Sequence, residues 1–267
     1  MSLRDLLRQN IIDRADNRVL LMHVTGFNHA RLLAYDDYVL TEAQIENYNQ
    51  LVPRVQRGEP LAYIVGYKEF YSRQFKVTPD TLIPRPETEL LVEQVVEKAS
   101  NGAKVLDLGT GSGCIAVTLK LERSDLSVTA VDKFAATLEV ARRNAADLHA
   151  EIELICSDWY SELAARKFNI IVSNPPYIER DDQHLLALSF EPQAALTDFA
   201  DGLSCIRTIV SLSREYLLPD GWLMIEHGYD QGTVVHEIFT KNGLSDVTTI
   251  LDYAGLERIT MGKTLKY

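Results

Sequence analysis

The sequence contains few cysteines and no long apolar run, and these absences exclude several classes of protein. Only three cysteines occur among 267 residues, too far apart for a zinc knuckle or a redox pair: Cys114, Cys156 and Cys205. We expect them to be buried free thiols in a reducing cytoplasm, and we expect no metal site. No window approaches the roughly 18 apolar residues of a membrane span. The charged start, Met1–Asp5, does not fit a secretory signal.

Basic residues are also scarce, and the deficit lies in one part of the chain. The formal net charge is −11, from 27 basic and 38 acidic residues. Residues 1–83 carry 10 of each sign, so the whole excess of negative charge lies in residues 84–267. Nucleic-acid enzymes usually carry a basic stripe. The charge distribution therefore argues against stable nucleic-acid binding.

The first 75 residues read as a small helical domain. Leucine and isoleucine recur at helical spacing near the start, and Thr41 with Gln44 predicts a capping box opening a helix to about Arg57. Strand-forming residues then surround a polar turn at Ser72–Gln74, which predicts a hairpin. We expect a helical domain at 1–75, a linker at 76–86 and a second domain at 87–267.

From Glu87 onward, helix and strand patterns alternate along the chain. This alternation predicts an α/β fold with a mostly parallel, doubly wound sheet. The last two strands, near 246–251 and 257–262, are joined by only a short loop. Parallel strands need a longer crossover, so we expect an antiparallel last strand beside the sheet.

A glycine-rich turn, Gly109–Gly113, follows the strand Val105–Leu108 and precedes a helix. Asp132 ends the second strand about twenty residues later, where a carboxylate can accept both hydroxyls of a ribose. Asp107 before the turn suits a ligand with an amine or a positive sulfur better than a diphosphate. The spacing thus favours S-adenosylmethionine over NAD. A tight turn that binds no ligand is the alternative.

A polar cluster, Ser157–Trp159, follows the third strand. In a doubly wound sheet the carboxyl ends of neighbouring strands line one crevice. Asp158 can accept from an adenine amino group there, and Trp159 can pack on the ligand. The alternative is a helix-capping aspartate followed by a core tryptophan.

The fourth strand, Ile170–Ser173, ends in Asn174, Pro175, Pro176 and Tyr177. An amide or aromatic amino nitrogen is a poor nucleophile because its lone pair is delocalised. The side-chain oxygen of Asn174 and the carbonyl of Pro175 can bind the two N–H groups of such a nitrogen, and a rigid turn can preorganise them. The ring of Tyr177 can stack on a planar amide and favour positive charge on its nitrogen.

These motifs together resemble the PrmC/HemK family of protein-glutamine methyltransferases. The match runs over most of the chain, including the helical N-terminal part. It rests on these segments: Leu82–Glu89, Asp107–Cys114, Ser157–Trp159, Asn174–Tyr177, Phe190–Pro192, Ile225–Gly228 and Asp252–Arg258.

The resemblance implies a class I, Rossmann-like methyltransferase domain with a seven-stranded sheet, behind a small helical substrate-recognition domain. It implies S-adenosylmethionine as cofactor, held by Gly109, Thr110, Gly111, Ser112, Gly113, Asp132, Trp159 and Asn174. The substrate glutamine would be held by Asn174, Pro175, Pro176 and Tyr177, with Asn174, Pro175 and Tyr177 as the catalytic residues. In this family the glutamine lies in the Gly-Gly-Gln loop of class I peptide chain release factors, and the product is N5-methylglutamine.

Other functions share parts of this pattern. DNA adenine methyltransferases use the same Asn-Pro-Pro-Tyr sequence, but here Glu179, Asp181 and Asp182 follow it and would repel phosphates. A methyltransferase acting on glutamine in a large-subunit ribosomal protein would have the same site chemistry. A nicotinamide oxidoreductase or a non-catalytic binding protein fits less well, because the motif is intact and His227 reads as a buried strand-end residue. We expect a cytoplasmic monomer with no membrane association.

Overall fold

A computed structural model describes residues 1–9 and 11–265 as two compact units, Met1–Tyr67 and Lys68–Tyr267. The first unit ends at Tyr67, earlier than the expected boundary at residue 75. No helix in the described part of the chain is both long and apolar enough to cross a bilayer.

The first unit is helical, as predicted. Its helices are α1 (Leu3–Leu7), α2 (Arg14–Thr25), α3 (His29–Ala34), α4 (Glu42–Gln56) and α5 (Leu61–Val65). The capping box at the start of α4 is confirmed: the Thr41 hydroxyl accepts from the backbone of Gln44, whose side chain accepts from the backbone of Thr41. Inside the unit, the buried Tyr48 hydroxyl donates to Asn17 at 2.7 Å.

A hairpin of β1 (Tyr67–Phe70) and β2 (Arg73–Lys76) follows. Its turn is formed by Tyr71 and Ser72, both with positive φ, so the predicted turn at Ser72–Gln74 was placed too late. Arg73 and Gln74 belong to the second strand, which places Phe75 in the core of the larger unit. The Asn144 side chain also bonds the backbone N–H and carbonyl of Lys76, at 2.7 and 3.0 Å. The hairpin is therefore an integral part of that unit.

The larger unit contains a seven-stranded sheet, which confirms the predicted α/β fold. Its strands are β3 (Lys104–Leu108), β4 (Ser127–Asp132), β5 (Glu153–Cys156), β6 (Phe168–Ser173), β7 (Leu217–Glu226), β8 (Ser245–Leu251) and β9 (Glu257–Lys263). The order is β5-β4-β3-β6-β7-β9-β8, and only β9 runs against the others. The antiparallel last strand is confirmed, but it lies between β7 and β8. Burial explains this order, because four consecutive residues of β9 are buried whereas β8 has no buried residue.

Helices cover both faces of the sheet. They are α6 (Thr88–Lys98), α7 (Cys114–Glu122), α8 (Ala135–Asp147), α10 (Ser204–Tyr216) and α11 (Gly232–Lys241). The short helix α9 (His184–Ala187) has no buried residue and belongs to the segment between β6 and α10. One apolar cluster packs β3 and β4 against α6 and α7, and a second packs β6 and β7 against α10 and α11. Both faces are thus occupied, which leaves the carboxyl ends of the parallel strands free for a ligand.

The three cysteines are free thiols in different environments. Cys114 is buried, Cys205 is partly exposed and Cys156 is exposed. The expectation of buried thiols is correct only for Cys114. Cys156 is the last residue of β5, an edge strand, and therefore lacks cover from a further strand.

Candidate active site

The glycine turn between β3 and α7 uses its glycines for two different purposes. Gly109, Gly111 and Gly113 all have positive φ, a conformation that side chains disfavour. A Cβ on Gly113 would lie 3.2 Å from the Cβ of Ala141, so glycine there allows α8 to pack closely. Gly109 and Gly111 instead line a cavity at the carboxyl ends of the strands.

The cavity has a volume of about 340 Å³, within the range of small-molecule sites. Its walls come from the strand ends and from two loops that precede α6 and α10. The lining residues are Asp80–Leu82, Gly109, Gly111, Asp132–Phe134, Thr137, Ser157–Trp159, Asn174, Pro176, Pro192, Ala194, Ala195, Thr197–Phe199 and Cys205.

Asp132 at the end of β4 is held rigidly in the cavity wall. One carboxylate oxygen accepts the Gly111 N–H at 3.1 Å, and the other accepts the Phe134 N–H at 3.0 Å. Burial raises the pKa of Asp132, and these backbone donors oppose the rise. Each oxygen keeps a lone pair, so the carboxylate can still accept two hydroxyl groups from a ligand.

A second aspartate, Asp107, lies fully buried on β3. One of its oxygens accepts the Thr110 hydroxyl at 2.6 Å, and the other has no hydrogen-bond partner among the described residues. Burial raises the pKa of Asp107 to about 7, and the Thr110 hydroxyl opposes this rise. A buried carboxylate oxygen without a partner is costly. A positively charged ligand group beside the turn would offset that cost.

Asn174 brings the end of β6 into the cavity. Its side-chain N–H donates to the Thr88 hydroxyl at 3.1 Å, which leaves the side-chain oxygen as the group available to a ligand. That oxygen is buried and has no hydrogen-bond partner in the part of the chain that the structure describes. It is the acceptor that the sequence analysis predicts for an amide N–H.

Two contacts hold Tyr177 in place, one at its backbone carbonyl and one at its side-chain hydroxyl. Its backbone carbonyl accepts from the Gln231 side chain at 2.9 Å, and its hydroxyl lies 3.5 Å from a carboxylate oxygen of Glu226. A Cβ on Gly202 would overlap that same carbonyl oxygen, so only glycine fits there. Burial raises the pKa of Tyr177, and the hydroxyl stays protonated.

The structure separates the predicted cofactor residues into two groups. Gly109, Gly111, Asp132, Trp159 and Asn174 line the cavity. Three others are buried and lie outside its lining: Thr110, Ser112 and Gly113.

The two predicted substrate prolines and Asp158 also differ in their placement. Pro176 lines the cavity, whereas Pro175 is buried outside the lining. Asp158 lies at the cavity but forms an exposed ion pair with Lys133 at 2.7 Å. An adenine amino group would have to share Asp158 with this lysine.

A partly buried ion pair ties the Leu82–Glu89 segment to the Phe190–Pro192 segment. Arg85 donates to Glu191 at 2.5 Å, and the other carboxylate oxygen of Glu191 accepts the Ile83 N–H at 3.1 Å. Leu82, which precedes Ile83, and Pro192, which follows Glu191, both line the cavity. Sequence reasoning quoted both segments but missed the pair. Its signal was the opposite charge of Arg85 and Glu191, each of which lies next to a proline.

His227 takes no part in the cavity. It is fully buried, and its two ring nitrogens contact the Gly228 carbonyl and the Thr260 hydroxyl, each at 2.9 Å. Burial lowers the pKa of His227, so the ring is neutral near pH 7. The prediction of a buried strand-end histidine is confirmed.

Two family models match the chain: the PrmC N-terminal domain over residues 2–66 and the methyltransferase small domain over residues 86–196. The release factor glutamine methyltransferase of Neisseria gonorrhoeae is 45% identical over 100% of this chain and 99% of its own length. The chain belongs to the release factor glutamine methyltransferase family. The Escherichia coli member is 42% identical over 94% of this chain and 92% of its own length.

A solved methyltransferase structure from Pyrococcus furiosus shares the fold of this family member. Its TM-score is 0.57 at 17% identity, covering 81% of this chain and 98% of the other. The family assignment confirms the resemblance drawn from the motifs, the class I methyltransferase fold and S-adenosylmethionine as the cofactor. The cavity fits this cofactor, because Asp132 lies in its wall and can accept ribose hydroxyls.

We expect Asp132→Ala to weaken S-adenosylmethionine binding by about 2 kcal/mol, the scale of a charge-assisted hydrogen bond. The substitution removes the two acceptors and also leaves the N–H groups of Gly111 and Phe134 without partners. Titration calorimetry measures the effect, with Glu139→Gln on the exposed face of α8 as the control. Unchanged affinity in Asp132→Ala would contradict this role, and tight NAD binding by either protein would contradict the choice of cofactor.

Proposed function

We propose that this chain transfers a methyl group from S-adenosylmethionine to the side-chain amide nitrogen of a glutamine in class I peptide chain release factors. The glutamine lies in their Gly-Gly-Gln loop, and the product is N5-methylglutamine. Family membership supports the activity. The observation that carries the site assignment is the buried, unpartnered side-chain oxygen of Asn174 beside the cofactor cavity.

The proposed catalytic residues act by orienting the amide. Asn174 accepts one N–H through its side-chain oxygen, and Pro175 accepts the other through its carbonyl. The amide nitrogen is thereby held with its lone pair toward the methyl donor. Pro175 and Pro176 restrict the backbone of the loop, so this geometry exists before the substrate binds.

The bound cofactor supplies an electrophilic methyl group. Tyr177 contributes the face of its ring, which favours the positive charge that develops on the nitrogen. Its protonated hydroxyl and its bonded carbonyl keep the ring in place. No strong base is needed in contact with the substrate, because the nitrogen loses its proton readily once it carries the methyl group.

The test is an assay with labelled S-adenosylmethionine in which three substrates are offered side by side. These are a class I release factor, the large-subunit ribosomal proteins and duplex DNA. We expect label in the release factor, on glutamine nitrogen. Label confined to a ribosomal protein would favour the sister glutamine methyltransferase, and label in DNA would favour an adenine methyltransferase.

The helical unit Met1–Tyr67 is proposed to recognise the release factor. It matches the PrmC N-terminal domain, whereas all residues of the cofactor cavity lie in the other unit. We also propose that the enzyme works in the cytoplasm as a monomer without stable nucleic-acid binding. The acidic charge of residues 84–267 supports the last point.

A chain beginning at Lys68 is expected to bind S-adenosylmethionine within about threefold of the full chain but to methylate whole release factor at least about 100-fold less efficiently. The truncated chain would lose the binding energy of contacts between the helical unit and the release factor, whereas the residues of the proposed active site would remain. The hairpin must be kept, because Phe70 and Phe75 are part of the core of the larger unit. Circular dichroism verifies folding. Unchanged kcat/KM for whole release factor would exclude the recognition role.

A further inference from the structure

Residues 191–197 form a short strap in the wall of the cofactor cavity. Four of them line the cavity: Pro192, Ala194, Ala195 and Thr197. The middle of the strap is a 3₁₀ turn in which the carbonyls of Pro192 and Gln193 accept N–H groups from within the strap, at 2.9 and 3.0 Å. These internal bonds shape the strap, but they do not fix it to the rest of the protein. Its position therefore depends on how its two ends are attached.

The second end of the strap is attached to the loop that follows the Asn-Pro-Pro-Tyr sequence. The Ile178 N–H donates to the Leu196 carbonyl at 3.0 Å, and Ile178 also pairs with Thr197 in an isolated parallel bridge. Leu196 and Thr197 are both buried. This end is thus held through the backbone.

The first end of the strap is attached through the side chain of Glu191, which is the only charged residue among positions 191–197. One carboxylate oxygen accepts from Arg85 at 2.5 Å, and the other accepts the Ile83 N–H at 3.1 Å. The Glu191 side chain is 2% exposed, whereas that of Arg85 is 31% exposed. Both partners belong to the segment that precedes α6, so Glu191 joins the strap to a distant part of the chain.

Stability alone is a weak reason for burying the carboxylate of Glu191. Desolvation of a carboxylate is costly, and a buried ion pair often stabilises a fold no more than apolar side chains of similar volume. The contact does provide a fixed geometry, because a carboxylate bonded through both oxygens has little freedom to move. Leu82 and Pro192 lie next to the bonded residues Ile83 and Glu191, and both line the cavity. The geometry that Glu191 fixes is therefore that of the cavity wall.

We propose that Glu191 is a positioning residue for S-adenosylmethionine, which fastens the strap to Ile83 and Arg85 and so keeps this wall of the cavity in place before the cofactor binds. Glu191 does not touch the cofactor in this proposal. The strap contributes the contact through Pro192 and the two alanines, which are apolar and exclude water. The role goes beyond the proposed function, because it concerns the cofactor and holds whichever substrate receives the methyl group.

A strap released at Glu191 would have to be ordered again each time the cofactor binds. The apparent affinity falls with the fraction of molecules that have the strap in place, so a strap in place about one tenth of the time lowers affinity about tenfold. Saturating cofactor restores the strap, because a ligand shifts the population toward the state that it binds better. We therefore expect a loss of cofactor affinity with a nearly unchanged rate at saturating cofactor.

The first test uses no substrate and no cofactor. NMR measures hydrogen exchange of the Ile178 N–H in the full chain, with Arg85→Gln and Arg85→Lys as matched variants. Arg85→Gln removes the charge at one end of the strap, and exchange of Ile178 at the other end should accelerate at least about tenfold. Arg85 bonds Glu191 through one N–H, which a lysine ammonium can replace, so exchange in Arg85→Lys should stay close to that of the parent chain. Unchanged exchange in Arg85→Gln overturns the proposal.

The second test measures S-adenosylmethionine affinity by titration calorimetry. We expect Arg85→Gln to bind about tenfold more weakly and Arg85→Lys to stay within about threefold of the parent chain. The single-turnover rate at saturating cofactor should stay within about threefold in both variants. Arg207→Gln is the control, because it removes an exposed ion pair with Asp201 outside the cavity lining and should change neither quantity. Unchanged affinity in Arg85→Gln, or a loss confined to the rate, contradicts the positioning role.

Thermal melting verifies that each variant is folded, because Arg85→Gln leaves the buried carboxylate of Glu191 without its charged partner. Arg85→Met combined with Glu191→Met replaces the pair by apolar side chains and buries no unpaired charge. Should Arg85→Gln unfold, this double variant is expected to show the same faster exchange and weaker affinity, and parent-like values would overturn the proposal. If the parent chain labels a ribosomal protein or DNA, the proposed substrate is wrong, and the exchange and calorimetric results still decide the role of Glu191.

Discussion

Asn174→Ala is expected to abolish methylation while leaving S-adenosylmethionine binding partly intact. Losing one preorganised polar contact to the reacting group costs about 3 kcal/mol of transition-state stabilisation or more, which is at least about 100-fold in rate. Alanine also leaves Thr88 without the N–H that its hydroxyl accepts. The loss should therefore appear in the single-turnover rate rather than in cofactor affinity.

The measurement is a single-turnover assay on release factor combined with calorimetry for the cofactor. Asn101→Ala is a suitable control, because Asn101 is exposed and lies outside the cavity lining. Activity of Asn174→Ala within threefold of the parent chain would remove Asn174 from the catalytic residues. A parallel loss of cofactor binding would instead mean that Asn174 holds the cofactor more than the substrate.

Changing the substrate glutamine to glutamate or lysine within the same release factor loop is expected to stop the reaction. In the proposed site, the two acceptors at Asn174 and Pro175 require a nitrogen with two N–H groups, which glutamate lacks. The proposed stacking on the ring of Tyr177 requires a planar group, which excludes a lysine ammonium. Asparagine should react poorly, because its amide lies one methylene short of the fixed acceptors.

Mass spectrometry of the loop peptide after incubation with the enzyme and cofactor gives the extent of each reaction. The unchanged glutamine substrate is the positive control, and binding of each variant release factor is measured separately. Efficient methylation of the lysine variant would show that planarity is not selected. Reaction of asparagine at the rate of glutamine would show that the acceptors are not rigidly placed.

Local sequence patterns were sufficient for much of the fold. The capping box at Thr41 and the alternation of strands and helices after Glu87 involve neighbouring residues, so one sequence contains the information. The order of the last strands is different. A short loop between β8 and β9 requires antiparallel pairing, but only burial against β7 decides that β9 lies inside the sheet. Such long-range competition between strands leaves no local signal.

The candidate site also combines features that local sequence predicts with features that depend on contacts between distant residues. Asp132 and Asn174 could be proposed because each ends a strand, and the ends of parallel strands meet at one edge. The ion pair of Arg85 with Glu191 joins residues more than a hundred positions apart, so its partners could not be assigned from either motif alone. Thr88 and Glu226 both lie in segments on which the resemblance rests, but neither segment alone reveals that Thr88 accepts from Asn174 or that Glu226 lies beside the Tyr177 hydroxyl.

The placement of β9 between β7 and β8 has a consequence for synthesis on the ribosome. Until β9 has emerged, β7 is the open edge of an unfinished sheet, and its N–H and carbonyl groups remain available to other chains. Glu226 lies on that edge and pairs in register with Ile259. The ribosome therefore synthesises the glycine turn and the residues of the cavity walls before the strand that covers Glu226. A messenger RNA truncated upstream of β9 would yield a protein with an open sheet edge, which is prone to aggregation.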